Sequence, residues 1–222
     1  MPDRILLIDD QPQNCEGIAS LLFYSNKKKM EVETVSSLQN AHLLIYSKTE
    51  KDNFDLISFD MSMPPYLEQN LKSGGDLAKI VRRDFPKIKI LISSGMLDFV
   101  DFIDLTETIN PEGLMSKSDV SGIDIIQSFE QILDGNFYRS KLMIDYQKMN
   151  IEKSPLSDPT NLKIIKMLSK GFGINSISKA TFLGISGIKK RKIIIKQALG
   201  IESGNDEAII AEAIKRKIIN DY

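Results

Sequence analysis

The chain has 222 residues, with 29 lysines and arginines against 30 acids for a formal charge of −1, one cysteine and one histidine. That length allows one large domain or two small ones, each with its own core, and two is the working count. A single cysteine excludes an internal disulfide and a single histidine excludes a Cys/His zinc cluster; with no apolar run near the roughly 18 residues of a bilayer span and no basic-then-apolar N-terminal signal, a cytoplasmic protein without membrane partners is expected.

Arg4 to Ile8 is a short apolar strand that runs into two adjacent acids, Asp9 and Asp10. Gln13 to Tyr24 suits a helix, with Ile18, Leu21 and Leu22 on one face. Met30 to Val35 alternates like an edge strand, and Ser36 to Ser47 carries Leu38, Ala41, Leu44 and Ile45 at helical spacing behind a serine cap. Phe54 to Phe59 is the third strand and delivers Asp60 to its C-terminal end, before Met63 and Pro64 turn the chain away. Helices are expected over Gly75 to Asp84 and Phe99 to Ile109, strands over Ile88 to Ser93 and Gly113 to Ser116, and a fifth helix carries Ile125, Phe129, Ile132 and Leu133 up to Gly135. Five strand and helix units in succession predict a doubly wound α/β fold with a five-stranded parallel sheet, because parallel neighbours need crossover connections. Cys15 and His42 read as packing or surface positions.

In such a sheet ligands gather at the carboxyl ends of the strands. If the first and third strands are neighbours, Asp9, Asp10 and Asp60 converge at one corner, which suits a divalent cation held by hard oxygens, with one acid reactive and the others holding the metal. These residues also resemble a known family. ILLIDDQP, the Asp60-x-x-Met63-Pro64 signature, Ser94-Gly95 ending the fourth strand and Lys117 closing the fifth resemble, over about residues 3–135, the receiver domain of two-component response regulators.

The resemblance implies a receiver domain over residues 1–135, phosphorylated on Asp60 by a partner histidine kinase. It also implies Mg²⁺ bound by Asp9, Asp10, Asp60 and the backbone carbonyl of Ser62, with Ser94 hydrogen-bonding the phosphoryl group and Lys117 pairing with it. The chemistry agrees: bringing anionic oxygens together needs a metal and a fixed cation to offset their repulsion. Two features depart from the family. Leu114 stands where an aromatic residue usually couples to the serine, and the loop Pro65 to Ser73 is long. That loop either gates access to Asp60 or is a tolerated insertion, and the small entropic cost of lengthening a loop favours the insertion.

Residues 136–155 form a connection, with a partly packed helix over Asn136 to Lys148 and a looser stretch over Asn150 to Pro155. The run Gly135 to Ser140 (GNFYRS) resembles a G-x-x-Y-x-S pattern of the NarL branch. Beyond it the charge changes sign: residues 156–222 hold 12 basic and 6 acidic residues, leaving 17 and 24 in the remainder. An acidic front suits a metal and a basic back suits a polyanion.

Residues 156–222 read as all-helical. Leu162, Ile165 and Leu168 form one stripe; Ile174, Ile177 and Ala180 a short second helix; Ile188, Ile195 and Leu199 the buried side of a third, which carries Lys189, Lys190, Arg191, Lys192 and Lys196; and Asp206 to Ile219 a fourth. Two short helices before a longer basic one is a helix-turn-helix layout, and this order resembles the LuxR-type DNA-binding domain. Gly184, Gly187, Arg191 and Asn161 depart from that family's usual serine, threonine, histidine and acid.

The five cations are expected at double-stranded DNA, with Lys190 and Arg191 nearest base edges. Homodimerisation is expected through Ile209, Ile210 and Ala213 of the last helix. The reading is a DNA-binding transcriptional response regulator, not an enzyme. The alternatives are a signalling adaptor whose basic helices bind an acidic protein, a regulator that works without phosphorylation and, more distantly, a metal-dependent phosphatase.

Overall fold

The computed structural model describes residues 2–25, 28–49, 53–149 and 154–221. The chain divides into two compact units, one of residues up to Met96 with Leu105–Asp145, the other of Leu97–Asp104 with the residues from Tyr146 onward.

In the first unit the five expected strands appear as β1 (Asp3–Ile8), β2 (Met30–Val35), β3 (Leu56–Asp60), β4 (Lys89–Ser94) and β5 (Gly113–Ser116). They pair in parallel in the order β2-β1-β3-β4-β5, and a two-residue β6 (Tyr138–Arg139) joins the β5 edge. The sheet is thus one strand wider than the five expected. Asn136 to Lys148 has enough apolar character to read as a single helix, but its first residues are drawn into the sheet, Tyr138 opposite Gly113 and Arg139 opposite Leu114.

Helices α1 (Pro12–Phe23), α2 (Leu38–Tyr46), α3 (Gly74–Asp84), α4 (Phe99–Thr108) and α5 (Gly122–Leu133) connect the strands, and α6 (Lys141–Lys148) follows β6. Local chemistry sets several of their starts. Pro12 opens α1, Ser37 and Ser73 accept the amides of Asn40 and Asp76, and Ser121 with Asp124 makes a reciprocal capping box for α5. Gly135, at φ 85°, supplies the left-handed turn behind α5.

Strands β3 and β5 are buried along their whole length, as expected of parallel strands covered on both faces. Ile5, Leu7, Leu56, Leu91 and Met115 pack against α1 and α5 with Cys15, Leu22 and Phe129. Cys15 is therefore a core residue; burial, with the nearby Asp9 carboxylate, pushes its thiol up to about 11. His42 stacks on Tyr46 at a ring separation of 4.6 Å. The long loop after Pro65 is closed on itself: Tyr66 and Leu71 exchange backbone hydrogen bonds of 2.8 and 3.0 Å, and Leu71 is buried.

In the second unit α7 (Pro159–Ser169), α8 (Ile174–Thr181), α9 (Ile185–Ala198) and α10 (Asp206–Lys215) are the four expected helices. Asp158 caps α7 and Asn205 caps α10, whereas α8 and α9 begin at Gly173 and Gly184 without a side-chain cap. Leu162, Ile165, Ile177, Ile188, Ile195 and Leu199 form the interior together with Ile209 and Ala213. That corrects the expected dimer face: Ile209 and Ala213 are fully buried within the chain's own helices, so neither is free to meet a second copy. Residues 150–153 of the expected loose connection lie outside the described residues. Among the described residues no helix is long and apolar enough to cross a membrane.

Candidate functional site

The strand order reverses between β1 and β3, the switch point at which open α/β sheets bind ligands. Asp9 follows the last residue of β1 and Asp60 is the last residue of β3; register places Ile8 opposite Phe59, so both carboxylates leave the sheet at the same edge. Each is about 5% exposed. Lys117 follows β5, where its amide is fixed by the Ser94 carbonyl at 2.8 Å. Its Nζ reaches across the edge to Asp9 Oδ2 at 2.6 Å and Asp60 Oδ1 at 2.8 Å.

The remaining carboxylate oxygens are held as well. Asp9 Oδ1 accepts from the Gln11 amide at 2.9 Å and from Asn14 Nδ2 at 3.2 Å, and Asp60 Oδ2 accepts from the Ser62 amide at 2.9 Å. Burial would lower the pKa of Lys117, but its bonds to Asp60 and Asp9 outweigh that and hold the ammonium above the ordinary lysine range. One fixed cation thus separates two buried anions that would otherwise repel.

The backbone of Asp60 is held by close packing. Gly74 at the start of α3 approaches so near that a Cβ there would lie 1.8 Å from the Asp60 carbonyl oxygen. The loop Pro65 to Ser73 thus leads into Gly74, a residue that cannot carry a side chain without moving the acid.

Asp10 follows Asp9 directly and is exposed, as is Ser62, whose backbone carbonyl is the fourth expected metal ligand. Among the described residues no three acid, histidine or cysteine side chains are gathered closely enough to hold a metal ion. The corner's own donors are all hard oxygens, the kind Mg²⁺ takes, alongside waters. Ser94 is buried, and its Oγ accepts from the Met96 amide at 3.4 Å. Leu114, also fully buried, pairs with Ile92 in the β4–β5 register. One residue passed over in the sequence is Ser93. It lies opposite Asp60 in register, is 3% exposed, and its Oγ has no hydrogen-bond partner among the described residues. Alternation along β4 was the available signal, since Ser93 rather than Ser94 shares a face with Asp60.

The second unit divides the five expected DNA contacts. Lys189 and Lys190 project from α9 as exposed side chains. Arg191 turns inward, its Nη1 donating to Asp158 Oδ2 and to Asn161 Oδ1, each at 2.8 Å. Burial opposes the Asp158 charge, but Arg191 and the amides of Asn161 and Thr160 hold its pKa below the usual range. Lys192 pairs with Asp206, and Lys196 donates to the Gly204 carbonyl. Three of the five cations therefore tie α9 to the rest of its own unit.

No family model matches the chain. The oxygen regulatory protein NreC of Staphylococcus aureus (strain bovine RF122 / ET3-1) is 22% identical over 227 residues, covering 97% of this chain and 99% of NreC. RcsB solved as two dimers bound to two parallel DNAs superposes with a TM-score of 0.64 at 18% identity, over 96% of this chain and 98% of that one. RcsB from Salmonella enterica serovar Typhimurium, bound to promoter rprA in the presence of the phosphomimetic BeF3-, gives a TM-score of 0.62 at 18% identity, over 95% and 98%. An acid corner at the switch point of a receiver-type sheet, followed in the chain by a helix-turn-helix, matches the NarL/LuxR-type two-component response regulators in fold and in remote sequence likeness.

Proposed function

We propose that this chain is a transcriptional response regulator: a receiver over residues 1–135 takes a phosphoryl group on Asp60 from a partner histidine kinase and so controls DNA binding by residues 156–222 across the connection 136–155. The observation that carries this reading is the Lys117 ammonium set between two buried carboxylates at the switch point. In the transfer, an Asp60 oxygen forms a bond to phosphorus as the P–N bond of the donor phosphohistidine breaks, and the imidazole leaves with the electron pair and takes up a proton.

Asp9, Asp10 and Asp60 with the Ser62 carbonyl would hold Mg²⁺. The ion, when bound, offsets charge on the phosphoryl oxygens. Lys117 then moves its charge from the Asp60 carboxylate to the phosphoryl group attached to it. The hydroxyl of Ser94 turns toward the new acceptor oxygens and reports their presence to the fourth and fifth strand-helix units.

Incubation with Mg²⁺ and acetyl phosphate, read by intact mass, is expected to add one phosphoryl group to the parent protein and none to Asp60→Asn. An unmodified parent would leave the unphosphorylated chain as the working form. Because NreC is a regulatory protein and RcsB was solved on DNA, DNA is the partner assigned to the second unit here. The homodimer belongs to the same proposal, through surfaces other than Ile209 and Ala213.

A second reading, a signalling adaptor that binds an acidic protein, draws on the fact that only Lys189 and Lys190 of the five cations are exposed. Mutation separates the two. K189A/K190A is expected to weaken binding to random duplex, to flatten log K against log salt by roughly 2 as two phosphate contacts are lost, and to leave the melting temperature unchanged. R191A is expected to act through folding instead, costing about 1–2 kcal/mol in urea denaturation: it strips charge-assisted hydrogen bonds from Asp158 and Asn161, and Asp158's exposure limits the loss. A parent protein that binds no duplex at low salt would favour the adaptor.

A further inference from the structure

Beyond its first residue, α9 exposes Ser186, Lys189, Lys190, Ile193, Ile194 and Gln197. At about 100° per residue these side chains fall within one arc of roughly 140° around the helix axis. The rest of the helix is engaged within its own unit: Ile188, Ile195 and Leu199 are buried, and Arg191, Lys192 and Lys196 bond to Asp158, Asp206 and the Gly204 carbonyl. Ile195 already supplies the core contact at this point of the helix, yet Ile193 is 57% exposed and Ile194 40% exposed beside it. Packing within the unit leaves Ile193 unaccounted for. It lies four residues beyond Lys189 and three beyond Lys190, the spacings at which helix side chains are neighbours, and between the two around the axis. An apolar side chain is thus set between two exposed cations.

We infer that Ile193, with Ile194 beside it, reads thymine through its C5-methyl group in the major groove. The inference rests on the DNA-binding reading proposed above and adds the base that is read. Lys189 and Lys190 draw a phosphate backbone, from which an isoleucine gains nothing. On the base edges of the major groove the thymine methyl is the apolar feature, and it distinguishes T·A from the other pairs. The helix that a helix-turn-helix lays in that groove therefore presents a methyl reader between two phosphate contacts. A bound half-site carries T·A pairs where Ile193 meets it, a demand that lysine contacts to phosphate do not make.

The test starts from the duplex that the full chain, treated with acetyl phosphate and Mg²⁺, selects from a random pool at low salt. The same duplex is then made with deoxyuridine for thymidine, which keeps every hydrogen-bonding group and lacks only the methyl. The parent is expected to bind the deoxyuridine duplex about fourfold more weakly, the worth of one buried methyl. I193S/I194S is expected to lose about as much on the natural duplex and to bind the two duplexes equally. Serine matches isoleucine in helix propensity, and an unchanged melting temperature shows that α9 is intact. K189A is expected to weaken both duplexes alike and to keep the parent's preference, since it removes a phosphate contact. Equal binding of the two duplexes by the parent would overturn the inference while leaving DNA binding standing. An undiminished preference in I193S/I194S would overturn it too, by assigning the difference to the flexibility of the DNA. A parent that selects no duplex would overturn the DNA-binding reading and the inference together.

Discussion

Lys117→Met is expected to destabilise the first unit by roughly 3 kcal/mol, at the low end for removing one partner from a buried ion pair. The variant keeps most of the lysine's apolar stem, so the loss reports the ammonium rather than the packing. Asp9 and Asp60, each nearly inaccessible, would face each other without the cation that now bonds both. The pH dependence follows from the raised lysine pKa. A group whose folded pKa lies above its unfolded value contributes fully below the unfolded pKa and loses that contribution as pH rises through the folded one. The gap between parent and variant in urea midpoints should therefore hold through the neutral range and close only above the ordinary lysine range. A constant gap at every pH would mean that the ammonium is not the source. The same variant should also take up phosphate from acetyl phosphate far more slowly, since the fixed cation opposite the transferred group is gone.

Gly74→Ala is the second large effect. The added methyl would sit 1.8 Å from the Asp60 carbonyl oxygen and 2.9 Å from its carbon, both backbone atoms that no rotamer change can clear. Either α3 or the end of β3 must move, at a cost of about 1–3 kcal/mol for overpacking or more. Ala is otherwise the better helix former by about 1 kcal/mol, so destabilisation here runs against intrinsic propensity. Gly75→Ala is the control, because its nearest neighbours are the flexible Met61 side-chain atoms at 2.9 and 3.1 Å. Urea denaturation and acetyl phosphate labelling together should show Gly74→Ala impaired in both and Gly75→Ala mildly affected in stability alone. Equal behaviour of the two would argue that the Gly74 contact does not position the acid.

Much of this architecture is written in short-range signals. Apolar runs ending in acids locate β1 and β3, a serine cap locates α2, and parallel pairing follows from the need for crossovers, whereas the strand order comes from the structure. Long-range pairing was harder to see. The two-residue β6 is fixed by long-range hydrogen bonds, the Tyr138 amide donating to the Glu112 carbonyl and the Ser140 amide to the Leu114 carbonyl. The burial of Ile209 and Ala213 depends on α10 packing against the other helices of its unit, which helical periodicity cannot distinguish from packing against a second chain.

Arg191 is instructive in another way. Arg191 and Asn161 each depart from the LuxR-type pattern, and the structure shows the two in contact at 2.8 Å. The arginine and the amide are spatial partners, and Asp158 supplies the opposite charge. Two deviations that seemed independent in the sequence compensate for each other in space. Of the five cations expected at DNA on α9, only Lys189 and Lys190 are exposed toward a phosphate backbone.

Charge arriving at Asp60 is expected to change what the second unit binds. The most direct measurement is the affinity of the full chain for duplex from its own upstream region, with and without acetyl phosphate and Mg²⁺ at fixed salt, for parent and Asp60→Asn. The account predicts at least tenfold tighter binding by the phosphorylated parent and no response from the variant. Identical affinities for phosphorylated and unphosphorylated parent, on DNA that both bind, would contradict it.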